Sequence, residues 1–166
     1  MSALISIVQN YGSGYAGSQQ EVAKNLSYMI SQDSGIVNKL VAPITRPAES
    51  IEYSYEVYIR CRCDLAPDNY CNNFKAYYNS GLGDSGIVLT VNSDVVSNYQ
   101  QPVNTVSTRG DRVDFSTKDV NDKISLYGEL TNVGDYTSWL VFQLGVSSSA
   151  DLGNGEVDYT IEYDEY

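Results

Sequence analysis

Three glutamates are the residues of this chain best able to do acid–base work: Glu52, Glu56 and Glu162. Two carboxyl groups flanking a glycosidic bond can act as its acid and base. Each of the three falls on the polar side of an alternating stretch, and a solvated strand face gives the same pattern with no chemistry attached. His is absent from all 166 residues. Its absence removes the commonest general base and metal ligand, and with it every Ser-His-Asp or Cys-His arrangement. No Gly-x-Gly-x-x-Gly run opens a helix, and no phosphate-loop lysine motif occurs. The sequence therefore names no catalytic set and no cofactor or cofactor-binding set.

Cys61, Cys63 and Cys71 are the next group. An odd count argues against a complete disulfide framework. Cys61 and Cys63, two apart on a strand, share one face. Three outcomes stay open: buried free thiols, one disulfide joining Cys71 to Cys61 or Cys63, or a metal site lacking a fourth ligand. Asp111 with Asp114, and Asp119 with Asp122, could hold calcium with help from backbone carbonyls. They lack the spacing of a calcium loop, and turn residues have the same composition, so no metal ligand is assigned. Fifteen Tyr against three Phe and one Trp is an unusual aromatic balance. Tyr53, Tyr55, Tyr58, Tyr77, Tyr78, Tyr99, Tyr136, Tyr159 and Tyr163 could line a sugar-binding platform, but strand packing explains their positions equally well.

The elements that position these residues read as strands. From 51 to 63 the chain alternates: Ile51, Tyr53, Tyr55, Val57, Ile59, Cys61 and Cys63 on one side, Glu52, Ser54, Glu56, Tyr58, Arg60 and Arg62 on the other. This predicts one long strand, buried on one face and polar on the other. Further strands are expected at 4–8, 25–31, 73–78, 87–91, 113–117, 123–130 and 156–163, with 99–106 extended as an edge or loop around Pro102. Residues 137–147 are apolar on both faces at their start, which marks a central strand covered on two sides. Helical spacing of Val22, Leu26 and Met29 competes with the strand at 25–31. About eight strands with turn signals between them predict an all-β chain, an antiparallel β-sandwich or jelly roll. Residues 51–166 would form the sandwich. Residues 1–50 would be an N-terminal arm or extra strands, with a Gly/Ser-rich loop at 10–18. The strand at Leu4 to Val8 either pairs within its own sandwich or adds to a neighbour's sheet.

The net charge of −11 is unevenly spread. Residues 1–50 carry three basic and three acidic side chains, 51–150 seven and twelve, and 151–166 six acidic and no basic ones. Phosphate backbones and anionic lipid repel such a chain, and nucleic-acid binding normally shows a basic patch. No nucleic-acid or membrane partner is expected. The N-terminus has neither the basic start nor the apolar run of a signal peptide, and no stretch approaches the ~20 apolar residues of a membrane span.

Several stretches resemble small structural proteins found in particles of tailed viruses. They are Ser-Tyr-Glu-Val-Tyr-Ile-Arg-Cys-Arg (54–62), Asn-Phe-Lys-Ala-Tyr (73–77), Tyr-Gln-Gln-Pro-Val (99–103), Gly-Asp-Tyr (134–136), Phe-Gln-Leu-Gly-Val (142–146) and Tyr-Asp-Glu (163–165). The resemblance covers residues 54–165 and transfers no functional residue. It implies a β-sandwich on the virion, assembled in the host cytoplasm, as a capsid decoration or tail-associated subunit. Its partners would be further copies of itself in a homo-oligomer and other virion structural proteins. A carbohydrate- or receptor-binding module and an extracellular filament subunit joined by strand donation are the other classes the sequence admits.

Overall fold

The computed structural model describes residues 2–10, 19–21, 44–82, 85–151 and 156–166. The strand expected at 25–31 and most of the Gly/Ser-rich stretch lie outside them. The described residues form two antiparallel sheets. Their strands are β1 (Leu4–Asn10), β2 (Gln19–Glu21), β3 (Glu52–Tyr53), β4 (Val57–Leu65), β5 (Cys71–Gly81), β6 (Ile87–Asn92), β7 (Arg112–Asp114), β8 (Ile124–Leu126), β9 (Leu140–Val146) and β10 (Val157–Glu165). Among the described residues the helical structure is a single 3-10 turn, Phe115–Thr117. The large sheet has the order β2-β1-β4-β9-β6-β7, with β3 also paired to β9, and the small sheet has the order β10-β5-β8. The chain is thus an all-β sandwich.

Period-two alternation builds the core between the sheets. Val57, Ile59, Cys61 and Cys63 of β4 turn inward, as do Phe74 and Ala76 of β5, and Cys71 joins them across a register shift at Asn73; all belong to one buried cluster with Phe115, Leu140 and Phe142. The Phe142 ring meets those of Phe115 and Tyr159 at centroid separations of 5.0 and 5.9 Å, a tilted and edge-on packing favoured by ring quadrupoles. Val157, Tyr159, Ile161 and Tyr163 all face this core, as their alternation predicts. Leu144 and Ile161 sit at its margin, partly buried. The Leu4 to Val8 segment pairs within its own sandwich, as β1 against β4, from Leu4↔Leu65 to Asn10↔Tyr58.

The long strand expected at 51–63 is two strands. Tyr53 pairs with Gly145 and Val57 with Phe142, so four steps along one chain oppose three along the other. The extra residue is a bulge. The Ser54 side chain makes it: its Oγ accepts from the Leu144 N–H at 3.0 Å and donates to the Tyr55 carbonyl at 2.8 Å. A hydroxyl here does the work of a backbone carbonyl and lets the strand slip by one. Two other elements are shorter than expected. The strand proposed at 123–130 is Ile124–Leu126, and that at 113–117 ends at Asp114, whose carboxylate accepts from Ser116 N–H and opens the 3-10 turn.

Phe142 is 3 % exposed. Replacing it by Ala should cost about 3–5 kcal/mol in urea unfolding, through lost burial and the cavity left among Phe115 and Tyr159. A cost under about 1 kcal/mol would mean that the rings do not pack as described.

Candidate functional site

Strand β9 is apolar on both faces, and the structure covers it twice. Its inner face lies in the core. On the outer face Trp139 and Val141 form a second buried cluster with Tyr58 and Val96, against which Tyr99 packs. Val96 and Tyr99 come from residues 93–111, a loop laid over the outside of the large sheet. Its ends are drawn together by Ser93 N–H to Asp111 O at 2.8 Å and by Asp111 N–H to the Asp94 carboxylate at 2.8 Å. Gly110, at φ +67°, is required there, because a Cβ would meet Asp94 Oδ1 at 2.0 Å.

A loop on an apolar surface must satisfy its own backbone, and three buried side chains of the sheet do so. Gln143 accepts from Ser107 N–H at 2.9 Å, and its amide hydrogens are shared among the carbonyls of Ser54 (3.0 Å), Val103 (3.2 Å) and Thr105 (2.7 Å). Asn92 donates to Asp94 O and Trp139 O and accepts from Val141 N–H. Glu56 is the third. Its backbone N–H donates to Val103 O at 3.0 Å, and its Oε2 accepts from Val103 N–H at 3.2 Å. The same oxygen lies 3.6 Å from Nε of Arg109, and the Glu56 side chain is 0 % exposed.

Glu56 therefore keeps the outer face that alternation assigns to it, but the loop seals that face from solvent. Tyr58, expected on the same polar face, is also fully buried. Burial is the main cause that pushes its phenol up to about 12, with the Glu56 charge adding and the Arg109 guanidinium beside it opposing. Arg112 donates to Val141 O, Thr90 O and Thr90 Oγ1, and burial lowers it to about 10. Glu56 Oε1, Arg109 Nε and Arg112 Nε make no hydrogen bond within the described residues. Nearby, the Arg60 guanidinium sits over both Tyr136 (3.6 Å) and Trp139 (4.1 Å), a cation held between two aromatic faces.

The three glutamates do not converge. Glu56 lies under the loop outside the large sheet. Glu162 lies on the outer face of the small sheet, where it accepts from Lys123 at 2.6 Å. Glu52 is exposed in β3. A carboxylate sealed against a guanidinium holds structure together and offers no approach to a substrate while the loop is seated. The aspartates serve turns. Asp114 caps the 3-10 turn, Asp119 accepts from the N–H groups of Asn121 and Asp122, and Asp122 pairs with Lys118 at 2.8 Å. The Asp111 backbone closes the covering loop. Among the described residues no group of three Cys, Asp or Glu is placed to hold a metal ion.

The tyrosines are dispersed. Tyr78, Tyr159 and Tyr163 pack on the core, Tyr99 of the loop packs on Tyr58 and Trp139, Tyr136 flanks Arg60, and Tyr77 lies beneath Lys123 on the small sheet. Cys61, Cys63 and Cys71 are free thiols in the core, and burial raises all three, Cys61 to about 12. Among the described residues no helix is long and apolar enough to cross a membrane. No family model, curated protein or solved structure matches the chain.

Removing one partner of a buried ion pair leaves the other uncompensated. Glu56→Ala should therefore lose about 3–5 kcal/mol in urea unfolding and expose the peptide bond after Arg109 to trypsin. An unchanged midpoint with no cleavage at Arg109 would show that Glu56 does not hold the loop. The thiols give a separate check, since reactivity needs both thiolate and access. A disulfide reagent at pH 8 should label Cys61, Cys63 and Cys71 only as fast as the chain unfolds, and rapid labelling of the folded protein would contradict their burial.

Proposed function

We propose that the chain is a non-enzymatic structural subunit of a virus particle, a capsid decoration or another protein of the virion surface. The starting point is the resemblance of its scattered stretches to small structural proteins of tailed viruses. One observation carries the reading: those stretches touch one another. Glu56, in 54–62, bonds to Val103, in 99–103, and Tyr58 meets Tyr99 at 4.9 Å. Arg60 lies over Tyr136, in 134–136. Gln143, in 142–146, reaches Ser54 and Val103. Phe74, in 73–77, stacks on Tyr163, in 163–165, at 5.2 Å. These contacts fall into two groups, one on the large sheet with its covering loop and one on the small sheet, which share the core through Val57, Phe74 and Phe142.

Rigid sheets and a pinned loop present a fixed surface for assembly. The net charge of −11 favours the outside of a particle over contact with packaged nucleic acid. The partners in this reading are further copies of the chain and other virion proteins.

Gradient sedimentation of particles from a producing culture tests the proposal. The chain should travel with intact particles, be reached by antibodies without breaking them, and be present in a fixed ratio to the shell protein. A chain found entirely at the top of the gradient would overturn it.

A further inference from the structure

Strand β10 is the one long sheet edge left open among the described residues. It pairs with β5 on one side, and the small sheet ends there. It is nine residues long, whereas β2, β7 and β8, the other sheet ends, have three each. A long edge presents a row of unpaired N–H and C=O groups that can template another strand. The large sheet continues beside it. The Glu165 carboxylate accepts from Ala3 N–H and from Ser2 Oγ, tying the end of β10 to the start of β1. Along this seam the core is only partly closed. Ile5 and Ile7 of β1, and Val157, Ile161 and Tyr163 of β10, pack against the core yet stay partly exposed, while Val57, Ile59 and Cys61 of β4 are enclosed.

Charge decides what the seam accepts. Asp158, Glu162 and Asp164 alternate on the outward side of β10, and residues 156–166 contain no Lys or Arg. Glu162 is paired with Lys123 and stands opposite Lys75, so the uncompensated charge of that face lies at Asp158 and at Asp164, whose carboxylate accepts from Asn73. A second copy pairing antiparallel would set Asp158 against Glu162 or Asp164, and like charges directly opposed are destabilising. The same row attracts the opposite sign. We propose that β10 takes up a β-strand from a different protein, apolar on the side facing the core margin and bearing Lys or Arg on the other. Backbone hydrogen bonds would supply the pairing, and the alternation would select the partner. An edge of this kind serves any assembly, a virus particle or another, and can be tested on the purified chain alone.

The probe is a nine-residue peptide alternating Val and Lys, with two controls: the same residues in blocks, and a Val/Glu alternation. Backbone amide exchange should slow within Val157–Glu165 on adding the Val/Lys peptide and with neither control. The double variant Asp158→Lys with Asp164→Lys alters two exposed side chains and should keep its melting temperature. It should lose at least about tenfold in affinity for the Val/Lys peptide and take up the Val/Glu peptide instead. Equal binding of the blocked peptide would reduce the effect to unspecific charge attraction and overturn the proposal. So would protection mapped outside β10, or β10 amides that become protected with rising concentration of the chain alone, which would make a second copy the occupant.

Discussion

A strand that is apolar on both faces has to be covered twice, and most of what is distinctive in this structure follows from that constraint. Leu140 and Phe142 of β9 are covered by the small sheet, while Val141, with Trp139 just before it, needs a second roof. The chain supplies residues 93–111 rather than a third sheet. A loop brings no ladder of its own, so its N–H and C=O groups must find partners elsewhere. Asn92, Gln143 and Glu56 are those partners. A polar group buried without a partner is costly, and the same group fully bonded fixes a single arrangement. The roof is therefore held in one register by side chains that would destabilise the sheet if the roof were absent.

The fold class was legible because alternation reports it directly. Val157, Tyr159, Ile161 and Tyr163 face the core as their alternation predicts, and the two-sided apolarity of 137–147 marks the strand that is covered twice. What could not be read was the break at Ser54–Glu56. A bulge needs only one extra residue and one hydroxyl to bond Leu144, and Ser in a polar register looks like any solvated position. The slip changes the face of what lies before it, since Tyr53 packs at Gly145 rather than on the side of Val57. After it, Val57, Ile59, Cys61 and Cys63 turn inward as predicted, and Glu56 and Tyr58 keep the outer face but are enclosed there. In sequence Glu56 stands at a polar position in phase with Glu52, Ser54 and Arg60, so nothing local marks it as covered. Tyr99 and Val103 are what folds over it, and nothing local in the sequence ties positions so distant to Glu56.

The candidate carboxylates illustrate a different limit. Glu52, Glu56 and Glu162 share an appearance in sequence, a polar position on an alternating strand. In space they have three fates: exposed at the start of β3, sealed against Arg109, and paired with Lys123. The surface pair with Lys123 is worth little to stability, since such pairs typically contribute under ~1 kcal/mol. The sealed pair is costly to break. Sequence spacing carries sheet faces well, but it does not say which outer face will later be roofed.

The arginines show how the covering of β9 also shapes the surface. Arg60 lies between Tyr136 and Trp139, and Arg109 and Arg112 are drawn into the cluster beneath the loop. A guanidinium suits this role because its planar, weakly hydrated cation stacks on rings and still donates in several directions. Each arginine committed there is a positive charge withdrawn from the outer surface. The acidic groups are not withdrawn to match: Glu56 goes under the roof, while the described acidic groups that stay exposed include Asp158, Asp164 and Glu165 along the open edge of β10. Packing demands on one face of the large sheet thus help set the sign of the charge that the opposite side of the molecule offers to a partner.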